Sequence, residues 1–146
     1  MNESVSTIMI KELTTLGPDE FVGRAVDIFK TKRIHHLPIV DNGNLVGLIT
    51  THDLWNKHIQ PNDFEKIIIK DIMSKKLIKL NPDDKIGTAA ELFLDNRFHA
   101  LPIVEGDKIV GLITTFDVLR YMFLKEYPNP ILFNDELEGD MDSINR

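Results

Sequence analysis

The stretch Arg33-Ile34-His35-His36-Leu37-Pro38-Ile39-Val40-Asp41-Asn42-Gly43-Asn44-Leu45-Val46-Gly47-Leu48-Ile49-Thr50-Thr51-His52-Asp53 decides the fold, because it returns 64 residues later, from Arg97 to Asp117. Inside it, two apolar runs flank Asn42-Gly43, a dipeptide suited to the left-handed backbone of a tight two-residue turn, so the stretch reads as a β-hairpin. The unbroken apolar run Leu45–Ile49 predicts a second strand buried on both faces.

Working outward, an ungapped shift of 64 aligns Ile8–Trp55 with Ile72–Leu119, and 23 of these 48 positions are identical, which makes the chain an internal duplication. Ahead of each hairpin lies a helical pattern. Pro18-Asp19 supplies a helix-start signal, and Val22, Ala25, Val26 and Phe29 recur at i, i+3, i+4, i+7. Ile86, Ala89, Ala90 and Phe93 repeat the spacing. A second helical pattern begins near Thr51 and runs through Leu54 and Trp55, mirrored by Val118, Leu119 and Met122. Phe29, Phe93 and Trp55 fall at core spacing and are expected to pack rather than to form a stacking platform. Each unit is a short strand, helix, hairpin and helix, too small a sheet to be stable alone. The expected class is α/β (α+β), with two units pairing about a pseudo-two-fold axis. The division is repeat 1 over residues 1–60, repeat 2 over 61–124 and an acidic tail over 125–146.

Composition narrows the function. Hydrophobic residues make up 42% and charged residues 27% of the 146, ordinary for a globular protein. Cysteine is absent, which removes disulfides, thiolate metal sites and cysteine nucleophiles. The net charge is −6, and the segment from Lys125 to Arg146 holds six acids and two bases. With no concentrated Lys/Arg face, nucleic acid is not an expected partner. No apolar run approaches the ~18 residues of a membrane span, and the start lacks an export signal, so a soluble, cytoplasmic protein is expected, with no membrane partner. His35, His36, His52 and His58 cluster in the first copy, but strand alternation would send His35 and His36 to opposite faces and no carboxylate completes a metal spacing. No metal is expected. Nor is there a Gly-rich phosphate loop or a nucleophile–base pair, so catalysis is not expected.

Met73-Ser74, Asn81-Pro82-Asp83-Asp84, Arg97–Val104 and Gly111–Asp117, with Arg33–Asp41 and Gly47–Asp53 in the first copy, together resemble a cystathionine-β-synthase-type (CBS) domain. The resemblance covers about residues 5–124. It implies two β-α-β-β-α units forming a Bateman module, which senses small molecules, most often adenosine derivatives, and commonly dimerises. A regulatory ligand such as AMP, ADP, ATP or an adenosyl compound is therefore expected, with no cofactor required and with a regulated partner protein that the sequence leaves unnamed. The homodimer would pair through Leu54, Trp55, Leu119, Tyr121, Met122 and Phe123.

The chemistry assigns candidates. A carboxylate can accept a hydrogen bond from each hydroxyl of a ribose diol, and Asp53 and Asp117 are placed for that. Thr50 and Thr114, at strand-to-helix junctions, together with His35, His36, His99, Arg33 and Arg97, would meet phosphate. By resemblance, the adenine slot is formed near Gly17, Pro18, Asn81 and Pro82, with Ile39 and Ile103. A plainer alternative stands beside these roles, since Thr50-x-x-Asp53 and Thr114-x-x-Asp117 also spell helix capping boxes. At the level of the whole chain, the alternative is a structural homodimerisation module with empty clefts.

Overall fold

The computed structural model describes residues 1–95 and 97–128. The chain runs α1 (Val22–Lys32), β1 (His36–Asp41), β2 (Asn44–Thr50), α2 (Thr51–Asn56), α3 (Ile86–Leu94), β3 (Ala100–Glu105), β4 (Lys108–Thr114) and α4 (Thr115–Glu126), with 3-10 turns at Val5–Thr7, Pro61–Asp63 and Ile69–Asp71. This is the expected α+β fold. Both hairpins form in the same register, His36 opposite Thr50 and Ala100 opposite Thr114, each with a bulge at the matching place. Asn42 and Gly43 both take positive φ, 51° and 82°, as a type I′ turn requires, whereas the second hairpin has Gly106 at 62° in the first turn position, the type II′ solution. The four strands stand in the order β1-β2-β4-β3, and β2 meets β4 only at Asn44 and Lys108.

Several local expectations are corrected. Pro18-Asp19 does not begin α1. It sits in a turn closed by the Gly17 N–H donating to Glu20 Oε2 at 2.7 Å, and the helix starts at Val22 behind Phe21, whose side chain caps nothing. The first strand of each unit shrinks to single bridges, Leu16 with Ile39 and Leu80 with Ile103. Strand β2 is not buried on both faces: Leu45, Gly47 and Ile49 are buried while Val46 and Leu48 between them are partly open. Phe29 and Phe93 enter the core, but Trp55 is 80% exposed, because α2 ends at Asn56 and nothing among the described residues covers its outer face. The apolar part of the tail, Ile131 to Phe133, lies outside the described residues.

The two cores are built crosswise. Leu16, Val22, Ala25, Phe29, Leu37, Ile39 and Ile49 surround Ile69, a residue that follows the first repeat. Ile86, Ala89, Phe93, Leu101, Ile103 and Ile113 surround Val5 from the chain start. The cause is partly polar. Helices α1 and α3 have no side-chain N-cap, and the free amides of a first turn need acceptors. Segments from outside each repeat supply them: Val22 N donates to Ile67 O (2.8 Å) and Gly23 N to Phe64 O (3.0 Å), while Ile86 N donates to Glu3 O and Gly87 N to Met1 O, both at 3.0 Å. The same segments then pair with the hairpin of the repeat whose helix they cap. Ile10 exchanges two backbone bonds with Leu112, and Ser74 two with Leu48. The N-terminal segment is held further by Glu3, which accepts from Tyr121 Oη and from Lys125 Nζ, bonds that bring its carboxyl down to about 2.

Candidate ligand site between the repeats

Each β-strand-to-helix junction carries a complete capping box. Thr50 N donates to Asp53 Oδ2 at 2.8 Å and Asp53 N to Thr50 Oγ1 at 3.1 Å. Thr114 N donates to Asp117 Oδ2 at 2.7 Å and Asp117 N to Thr114 Oγ1 at 3.3 Å. The capping alternative is thus real in both copies, and it engages Oδ2 of each aspartate. The copies differ in the hydroxyl: Thr114 Oγ1 also donates to Asp117 Oδ2 at 2.8 Å.

Between the repeats lies a cleft of about 950 Å³, ample for a nucleotide-sized ligand. Thr50, Asp53, Thr114, His35, His36, His99 and Arg97 wall it, so residues 64 apart in sequence meet in one space. The expectation that His35 and His36 face apart is corrected. His35 precedes β1 and lies outside the strand alternation, its carbonyl accepting from Thr51 N at 3.1 Å, and both residues line the cleft. Burial pushes the His36 imidazole down to about 4, helped by His35 and His99, while Asp53 acts the other way. Arg97 is bound by Asp95 through Nε, at 2.8 Å, and through Nη2. Among the described residues no His, Asp and Glu group has the geometry to hold a metal ion.

The remaining candidates are placed elsewhere. Ile39 and Ile103 are fully buried, one in each core, with no side-chain surface to offer a ligand. Gly17, Pro18, Asn81, Pro82, Arg33 and Asp117 lie outside the cleft lining. Arg33 ends α1 in the left-handed conformation, φ 53°. Apolar wall comes instead from Leu13 and Ile34 on one side and Leu77, Ile78 and Phe98 on the other. The crossing segments also bring in Glu12 and Lys76, which the sequence reading missed. A signal existed: Glu12/Lys76 and Thr14/Ile78 are equivalent positions at which two otherwise similar copies differ in charge or polarity.

Comparison with known proteins places this geometry. The CBS domain model matches residues 5–54 and 69–124. The inosine-5'-monophosphate dehydrogenase of Methanocaldococcus jannaschii is 36% identical over 123 residues, covering 83% of this chain and 23% of the dehydrogenase, so the chain spans about a quarter of that relative. Among solved structures, protein MJ1225 of Methanocaldococcus jannaschii superposes with a TM-score of 0.77 at 26% identity, covering 83% of this chain and 48% of that one. The CBS domain pair of protein MJ0100, in complex with 5'-methylthioadenosine and S-adenosyl-L-methionine, gives 0.75 at 28% identity, covering 86% and 99%.

Proposed function

Because the chain belongs to the CBS domain family, as a tandem pair of its units, we propose that it is a non-catalytic regulatory module binding an adenine nucleotide or a related adenosyl compound between its repeats. The observation that carries this is the cleft itself: a carboxylate, Asp53, three imidazoles and two apolar walls converge on one nucleotide-sized space. The capping box engages Asp53 Oδ2, and the Oδ1 atom is the acceptor we assign to the ribose hydroxyls. Leu13, Ile34, Leu77, Ile78 and Phe98 give the base an apolar seat. The two adenosyl compounds held by the MJ0100 pair support the ligand class.

A homodimer is part of the proposal. Trp55 is 80% and Leu119 63% exposed, with Phe116, Met122 and Phe123 also open on α4, and apolar surface of this kind favours a partner. Leu54 and Tyr121, expected on that face, turn inward and pack against the cores. A thermal-shift panel of AMP, ADP, ATP, 5'-methylthioadenosine and S-adenosylmethionine tests the ligand claim. A ligand at about 100 times its Kd stabilises the fold by roughly 2.7 kcal/mol. A flat panel would favour a purely structural module.

A further inference from the structure

We propose that a phosphate-bearing ligand enters this cleft together with a proton, taken up by His36 where it stands with His35 and His99 on the cleft wall, so that the module reads pH as well as ligand. This rests on the nucleotide reading above and adds a regulation to it. His35 and His99 are equivalents across the repeat, but His36 has no counterpart, since Ala100 stands in its place. The pairing of His36 with Thr50 sets it beside the capped junction that carries Asp53.

The argument is one of charge balance. The fixed charges on the cleft wall are Lys76 and Arg97 against Glu12 and Asp53, which sum to zero among the described residues. Arg97 is moreover already engaged by Asp95. A phosphate monoester carrying about two negative charges near pH 7 therefore meets no net positive wall. His36, with His35, His99 and His52 also on the cleft wall and His52 bonded to Asn56, is the group placed to supply the missing charge. In the ligand-free cleft, burial and the neighbouring imidazoles keep His36 neutral. An adjacent dianion reverses that preference, because an opposite charge within a few ångströms favours the protonated imidazole.

Calorimetric titration with AMP, adenosine and inorganic phosphate, near pH 8 and near pH 6.5, in buffers of different ionisation enthalpy, tests this. Both conditions lie above the second phosphate pKa of about 6, so the ligand itself brings few protons. The expected result is AMP binding about threefold to thirtyfold tighter at the lower pH, the range up to one linked proton allows. Buffer-dependent heats should report that uptake, with adenosine insensitive to pH. His36→Ala, which copies the residue of the second repeat, should fold normally by circular dichroism and lose most of the pH dependence. AMP bound equally at both pH values with buffer-independent heats overturns the proposal, as does a His36→Ala variant with undiminished dependence. Phosphate alone showing the full linkage would support His36 and its neighbours as a bare anion site. Absence of binding by AMP and adenosine alike would overturn the nucleotide reading beneath it.

Discussion

Replacing Gly47 by alanine should strain the crossing that holds the two repeats together. A Cβ there would lie 2.4 Å from Met73 Sδ, 2.8 Å from its Cγ and 3.1 Å from Ser74 O. Met73, packed against the first core, must swing aside and give up part of that packing. The carbonyl cannot follow easily, because Ser74 O accepts from Leu48 N at 3.0 Å and Ser74 N donates back to Leu48 O at 2.9 Å. Overpacking of this kind costs about 1–3 kcal/mol, which for a chain of this length lowers Tm by roughly 3–10 °C. Urea unfolding with an unchanged m-value is the assay. Met73→Ala should relieve part of the strain, so the double variant should be at least about 1 kcal/mol more stable than the sum of the single changes predicts. Gly111→Ala against Met9, at the same 2.4 Å, is the internal control and should behave alike. A Gly47→Ala protein with the wild-type midpoint, or strict additivity with Met73→Ala, would refute the reasoning.

Further predictions concern the cores, the histidine and the dimer. Ile69→Ala should cost about 2–4 kcal/mol, and Val5→Ala about 1–3, by chemical denaturation, since both are fully buried, Ile69 in the core of the first repeat and Val5 in that of the second. His36, held near 4 against an ordinary 6.5, is protonated earlier in the unfolded chain. Its contribution is therefore present above pH 6.5 and is lost as pH falls towards 4. Discounted for partial exposure, that loss is about 1–2 kcal/mol in thermal melts, and His36→Ala should flatten it. Light scattering should return twice the 16.7 kDa chain mass for the wild type, and Trp55→Glu with Leu119→Glu should shift it to monomer.

The hairpins, the paired helices and both capping boxes were legible in the sequence because each rests on local chemistry: Asn42-Gly43 demands positive φ, Val22 to Phe29 marks a helical face, and Thr50-x-x-Asp53 closes its own ring. The crosswise architecture was not. Val5 is a single apolar residue and Ile69 the last of three isoleucines, in segments with no periodicity, and their role depends on helix N-termini that lack side-chain caps, an absence visible only once those termini are located. His35 misled for a related reason, since alternation holds inside a strand and the strand begins one residue later. Trp55 misled because helical spacing does not say how soon a helix ends. In the site, the predicted residues that wall the cleft are Thr50, Asp53 and Thr114 at the junctions and His35, His36, Arg97 and His99 ahead of the hairpins. Glu12, Lys76 and the apolar walls come from the crossing segments and remained hidden with them.

Calorimetric titration of the wild type, Asp53→Asn and Asp117→Asn with the best ligand of the thermal-shift panel tests the central claim most directly. Asparagine keeps an oxygen that can serve the capping box, so both variants should remain folded, while the charged acceptor for the ribose hydroxyls is lost. Charge-assisted bonds are worth about 1.5–3 kcal/mol, so Asp53→Asn should weaken binding roughly 10–100-fold. Asp117, outside the cleft lining, should cost much less. A folded Asp53→Asn protein that binds with wild-type affinity would contradict the account, leaving the carboxylate as a helix cap and the ligand, if held, held by other means.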